Sequence, residues 1–287
     1  MRNGSANRFP GPWVDPESRE EKPWLSHEGI VKFMEFVVPI AGMSERAFHL
    51  YWQNHHSAQV MNLTPFSQFM RKYTTAHHHA DMRLALPGHY LQDHPFIGAA
   101  EVWLNRIGEV ADWLGHPLYN ELIGPDEARF VDSARIEVVV TKEERLLDPD
   151  PDLVETQLTK VFLVFRRDAG REREAFHHAA SEHGRLILSH PMLAGKLRKL
   201  SVSHRLADPL PIERFAQNDL DAVFELWFDS PSAAQAFFDE PGWQTMLANE
   251  SESLTSREVL ALVTKVHVVH DEFSFQPSMM QPMPFTW

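Results

Sequence analysis

Residues 31–56 read VKFMEFVVPIAGMSERAFHLYWQNHH, and residues 159–184 read TKVFLVFRRDAGREREAFHHAASEHG. Laid together without a gap, they pair Lys32 with Lys160, Gly42 with Gly170, Phe48 with Phe176, His49 with His177 and His55 with His183, each 128 residues apart. Farther on, AAEVWLN at 99–105 matches VFELWFD at 223–229, pairing Glu101 with Glu225 and Trp103 with Trp227 at a spacing of 124. A connecting loop has changed length by four residues, as surface loops tolerate. The chain therefore reads as two copies of one unit, and such repeats decide the fold before any local feature does.

Within a copy the elements follow one order. Residues 30–38, IVKFMEFVV, form a β-run rich in branched and aromatic side chains. Residues 42–61 then predict a helix, with Ser44 as cap, Glu45 in the first turn, and Phe48, Tyr51, Trp52 and Gln59 or Val60 on one apolar stripe. A strand near 66–77, a strand at 98–104, a helix near 107–122 and a strand at 134–146 complete the copy, and the second copy repeats the order. This βαββαβ pattern is a ferredoxin-like unit of the α+β class. Its helices cover one sheet face and leave the other bare. Two tandem units are thus expected to pack sheet to sheet within one chain as an α+β barrel, with a cavity between the sheets. The expected divisions are an arm over 1–28, the first repeat over 29–148, the second over 158–272 and an apolar, Pro-broken tail over 273–287. The linker LLDPDPDLVE joins the repeats and reads as short and stiff.

Bulk composition narrows the partners. The chain has 287 residues, 43% hydrophobic, enough for a globular core. Its formal charge of −13, from 40 acidic and 27 basic side chains, argues against a nucleic-acid partner. No apolar run is long enough to cross a membrane, and the N-terminus lacks the apolar core of a signal peptide, so a cytoplasmic protein is expected. The absence of cysteine excludes disulfides, zinc–thiolate sites, iron–sulfur clusters and thiol nucleophiles. The apolar tail is a candidate surface for homodimer formation.

GMSERAFHLYWQNHH, FIGAAEVWLN and PDEARFVD, with EAFHHAASEHG and VFELWFDSPSAAQAF in the second copy, resemble the EthD-domain family of dimeric α+β barrel proteins. The resemblance covers residues 30–147 and 158–271. It implies a ferredoxin-like fold paired into a barrel, and roles in breaking down small organic compounds or tailoring polyketides, dehydration included. Related barrel families include cofactor-free monooxygenases, isomerases, cyclases and haem enzymes. The family's helix histidine falls at His55 and, in the second copy, at His183. Tyr51 and Trp52 become Ala179 and Ala180, which implies that the two halves do different jobs.

His55 shares a predicted helix face with Phe48 and Trp52, where an imidazole can move a proton near neutral pH. Glu101, Trp103, Glu225 and Trp227 alternate with aliphatic residues and point to the open sheet face. In a dry cavity the carboxylates would titrate high and act as acid or base; the competing reading is an ion pair with Lys32 or Lys160. Tyr73 and His77 share one face of the second strand, with Ser201 and Arg205 as expected counterparts, and a phenol there can donate to an oxyanion. His77, His78 and His79, followed by His89 and His94, invite a metal. Strand alternation lets only His77 and His79 converge, and no metal or haem is expected. The chain has no GxGxxG, GxxxxGK[ST] or GxSxG motif, so no nucleotide cofactor is expected either.

The sequence thus predicts a cofactor-independent lyase or isomerase, of dehydratase type, acting on a small apolar or aromatic molecule. His55, Tyr73, Glu101 and His77 are the expected catalytic groups. Tyr51, Trp52, Trp103, His183, Glu225 and Trp227 are expected to line the substrate site. The alternatives are a cofactor-free monooxygenase of the same barrel type, a non-catalytic carrier of hydrophobic ligands, and a haem or metal protein.

Overall fold

The computed structural model describes residues 29–86, 89–148, 150, 153–206, 219–254 and 257–273. The predicted arm over 1–28 and the tail beyond Phe273 lie outside the described residues. The strands are β1 (Val31–Val37), β2 (Lys72–His77), β3 (Tyr90–Leu91), β4 (Gly98–Leu104), β5 (Glu137–Leu147), β6 (Thr159–Arg166), β7 (Lys199–Arg205), β8 (Leu220–Phe228) and β9 (Val259–Asp271). They run in the order β2-β4-β1-β5-β7-β8-β6-β9, and β9 pairs back onto β2 to close a barrel. The short β3 lies parallel to the start of β9. The two repeats therefore pair within one chain, as the sequence predicts.

Closure follows from strand length. β5 pairs with β1 over Glu137–Thr141 and then with β7 of the other repeat over Thr141–Leu147. β9 does the same, first along β6 and then along β2. Each repeat thus finishes in its partner's sheet, and neither sheet keeps a free edge at these seams.

Alternation along the strands gives two faces. On β1, Lys32, Met34 and Phe36 point into the barrel, while Phe33, Glu35 and Val37 point to the helices. The registers match across the repeats: Lys32 opposes Trp103 as Lys160 opposes Trp227. Gly42 and Gly170 both have φ of 84°, a left-handed turn that favours glycine between the first strand and the first helix. Ser44 caps that helix as expected, its Oγ accepting from Ala47 N at 3.2 Å.

Two elements are shorter than predicted. β2 begins at Lys72, because a helical turn over Thr64–Ser67, opened by Pro65, takes the preceding residues. The helix near 107–122 is α-helical over Ile107–Leu114, then resumes as a π-turn over Tyr119–Ile123.

The connection between β2 and β4 in the first repeat crosses to the second. Its Met82, Leu84 and Tyr90 join the core beneath the second repeat's helices. Tyr90 lies against Phe238 and Trp243 and donates its hydroxyl to Glu250 Oε1 at 2.6 Å.

Candidate active site in the first repeat

Glu101, Trp103, Glu225 and Trp227 do face the space between the sheets, but that space holds packed side chains. Lys32 Nζ lies 2.7 Å from Glu101 and 2.5 Å from Glu225, and Lys160 Nζ lies 2.6 Å from each. Thr74 and Ser203 donate to the same two carboxylates at 3.1 and 3.0 Å. Lys32 sits over the Trp103 ring and Lys160 over the Trp227 ring. Met34, Phe36, Phe162 and Val223 fill the rest. Burial pushes the Glu225 carboxyl up, but Lys160 and Lys32 outweigh it and hold it well below the usual carboxylate range. The expectation that Glu101 acts as acid or base is corrected: Glu101 belongs to a buried ring of ion pairs, the competing reading of the sequence. Each repeat supplies one lysine and one glutamate, and the two repeats neutralise each other.

The first helix carries the second correction. Glu45–Tyr51 and Ser57–Asn62 are α-helical, but Trp52–His56 form a π-turn. A π-turn inserts one residue, and such insertions favour functional sites. Before it, the two repeats correspond at a spacing of 128; after it, Ser57 and Val60 match Gly184 and Ile187 at 127. The turn rotates His55 outward, where its side chain is 56% exposed, 3.6 Å from Asp126 Oδ1. His56 takes the inward place, and its Nδ1 donates to Asp126 Oδ2 at 2.8 Å. Adjacent histidines concealed this shift in the sequence.

Asp126 comes from the turn Gly124–Glu127 and also accepts from Tyr51 Oη at 2.5 Å. Burial pushes its carboxyl up, but the bonds from Tyr51 and His56 win and hold it below its ordinary value. A carboxylate on Nδ1 leaves Nε2 as the basic atom of the His56 ring.

His56 lines a cavity between the first repeat's sheet and its helices, with Glu35, Trp52, Tyr73, Ala100, Trp113 and Phe130 among the other walls. The cavity offers about 40 Å³ to the centre of a water molecule, against the roughly 10–15 Å³ that one water requires. It has room for a few waters, and an aromatic ring would have to push its walls apart. Burial raises the Tyr73 phenol to about 12, so it stays a proton donor. Tyr119 donates to Glu127, and both line the cavity. Tyr73 and Trp52 line this cavity, which lies on the helix-covered face of the sheet and not between the sheets where the sequence reading put them. The sequence reading missed His56, Asp126, Glu35 and Trp113. For Asp126 a signal existed: Glu250 lies 124 residues on and meets His183 Nε2 at 3.0 Å.

The second repeat repeats the geometry without the space. Glu35, Tyr73, Ala100 and Tyr119 correspond through the strand registers and helix positions to Leu163, Leu200, Phe224 and Trp243, all fully buried. His183 is locked between Glu250 and Asn249 Oδ1, with Tyr90 of the first repeat on the same carboxylate.

His77 stands apart from the cavity walls. It lies on the helix side of β2, its Nδ1 2.9 Å from His49 Nδ1 and its ring 4.8 Å from Trp52. The strand register makes His204 its counterpart, and Leu200 that of Tyr73, in place of the expected Arg205 and Ser201. His204 in turn lies 5.0 Å from His177, so the histidine pair is duplicated. Burial pulls both His49 and His204 down to about 4, keeping them neutral.

The EthD-domain family model matches residues 40–134 and 169–258, one match in each repeat. The chain belongs to the EthD-domain family. Among solved structures it is similar to an anthrone oxidase-like protein, at 9% identity and a TM-score of 0.51, over 87% of this chain and 97% of that one. It is also similar to a monooxygenase candidate from Fusobacterium nucleatum, at 6% identity and a TM-score of 0.50, over 85% of this chain and 94% of the other. At such identities the likeness is one of fold. No curated protein sequence matches the chain. The expectation of a lyase or isomerase is corrected here: these two structures carry the names of a monooxygenase candidate and an anthrone oxidase-like protein. Among the described residues no helix is long and apolar enough to cross a membrane.

Proposed function

We propose that the first repeat is a cofactor-independent oxygenase for a small, electron-rich aromatic molecule with an acidic C–H or O–H bond. The observation that carries this reading is the His56–Asp126 pair on the wall of an apolar cavity that the second repeat has filled. His56 Nε2 takes the proton, and Asp126 steadies the imidazolium that results. Tyr73 donates to the oxygen on which charge develops. Trp52 and Trp113 flank the ring. The substrate anion itself reduces dioxygen, so a methylene and O2 give a ketone and water, and no protein group gains or loses electrons.

The test is oxygen uptake with an anthrone as probe, in the presence of chelator and without flavin. Protein-dependent uptake with one ketone formed per O2, falling by roughly 10²–10⁴-fold in His56→Ala, is the expected result. Uptake no faster than the autoxidation of the probe in buffer would sink the reading.

A further inference from the structure

Glu45, His49 and His79 bring one oxygen and two imidazole nitrogens within 4.8 Å of one another at the mouth of the first repeat's helix. Glu45 Oε1 lies 3.8 Å from His49 Nε2 and 3.8 Å from His79 Nδ1. Donors around a tetrahedral metal at ~2.0 Å stand roughly 3.3 Å apart, so closing the set takes inward rotation of Glu45 and His79 and a turn of the His49 ring that moves Nε2 off the His78 carbonyl, now 2.6 Å away. The two outer members face solvent, His79 exposed and Glu45 one-third exposed, and Glu45 Oε1 also accepts from Ala80 N at 2.9 Å. The second repeat has Arg173 and Leu206 at the places of Glu45 and His79, and Arg173 is bound to Asp221 at 3.0 Å. The cluster therefore belongs to the first repeat alone, although its central histidine is duplicated.

We infer that Glu45, His49 and His79 form a binding site for one divalent transition-metal ion such as zinc or cobalt. Two imidazoles and a carboxylate, with further positions open to solvent, suit these borderline ions.

The hydrogen bonds behind His49 have two consistent settings. Without a metal, His49 Nε2–H donates to the carbonyl of His78 at 2.6 Å, because a carbonyl can only accept. His49 Nδ1 then accepts from His77 Nδ1–H, and His77 Nε2 accepts from the Thr75 hydroxyl at 2.9 Å. With a metal on Nε2, His49 carries its proton on Nδ1 and donates to His77, which donates from Nε2 to Thr75. Each ring keeps one proton, so the exchange costs no ionisation. Metal-bound histidines regularly donate their second nitrogen in this way.

The experiment uses untagged, chelator-stripped full chain titrated with Co2+ by visible absorbance and with Zn2+ by calorimetry. One equivalent per chain is expected, with binding lost in His79→Ala and weakened at least tenfold in Glu45→Gln. His178→Ala, an exposed histidine of the second repeat's helix, is expected to bind as the parent does. Melting curves in chelator show that the variants remain folded. No saturable uptake, or uptake undiminished in His79→Ala, overturns the site. Binding is read without turnover, so this result stands or falls apart from the oxygenase reading.

Discussion

His56 in the first repeat occupies the place that His183 occupies in the second, each with its ring against a carboxylate, Asp126 at 2.8 Å and Glu250 at 3.0 Å. The two histidines are 127 residues apart, while the glycines and phenylalanines before them are 128 apart. One residue, absorbed by the π-turn at Trp52–His56, accounts for the difference. His55 is expected to be dispensable and His56 not. Oxygen uptake should change less than about threefold in His55→Ala, against the roughly 10²–10⁴-fold loss expected of a missing general base in His56→Ala.

Removing the exposed Asn54 from the π-turn should straighten the helix and leave His56 facing Asp126, because the spacing to His183 then continues at one value. The deletion is expected to fold, with a melting temperature within a few degrees of the parent. A chain that fails to fold would show that the second half of the helix depends on the turn.

Glu101→Gln leaves Lys160 and Lys32 with one carboxylate fewer inside the barrel. Breaking a buried ion pair costs about 3–5 kcal/mol. Urea unfolding should show a loss of this size, while KM for the aromatic probe stays where it was. A fall in kcat without a loss of stability would return Glu101 to the chemistry.

Stability should fall on acidification. His49 and His204 titrate at about 4 in the folded chain, against ~6.5 for a free imidazole. The unfolded chain takes up these protons first, so their contribution is complete above pH ~6.5 and is lost as pH falls toward 4. At ~1.4 kcal/mol per unit, each is worth on the order of 3 kcal/mol. Urea midpoints between pH 7 and 4.5, measured in chelator, are expected to drop less steeply in His49→Gln than in the parent. Parallel curves would refute the assignment.

Gly98 lies under Trp52, and a Cβ there would meet the indole at 2.7 Å and the Ala76 carbonyl at 2.5 Å. Gly98→Ala should push Trp52 toward the cavity and weaken probe binding, read by tryptophan fluorescence. The second repeat has Ala222 and Ala180 at these places, a small ring-free pair that fits together. Trp52→Ala combined with Gly98→Ala removes the indole contact but leaves the Ala76 carbonyl at 2.5 Å, so the double variant is expected to stay less stable than the parent in urea unfolding.

The fold was legible because its signals are local and come twice: branched β-runs, a capped helix, and Lys32 and Lys160 at matching steps of the repeat. The site was legible only in part. Alternation along β4 correctly put Glu101 and Trp103 on one face and Ala100 and Val102 on the other. It could not say which face keeps free space, since that depends on how Lys32, Lys160 and Phe162 from distant strands interdigitate. Nor could spacing reveal a one-residue rotation between His55 and His56, because a π-turn leaves no trace where neighbours are alike. Asp126 was hidden for another reason: its partner is some seventy residues away, reached only through the packed helix.

The crossing of β5 and β9 into opposite sheets makes this chain a dimer that cannot dissociate. In a symmetric pair every substitution appears in both halves, so a residue that fills one pocket fills the other. Covalent fusion removes that bond between the copies. Ala100 could stay small while Phe224 grew large, and the segment around Tyr90 could settle into one half alone. One copy is then packed solid and the other keeps a cavity, a difference closed to any protein built from identical halves.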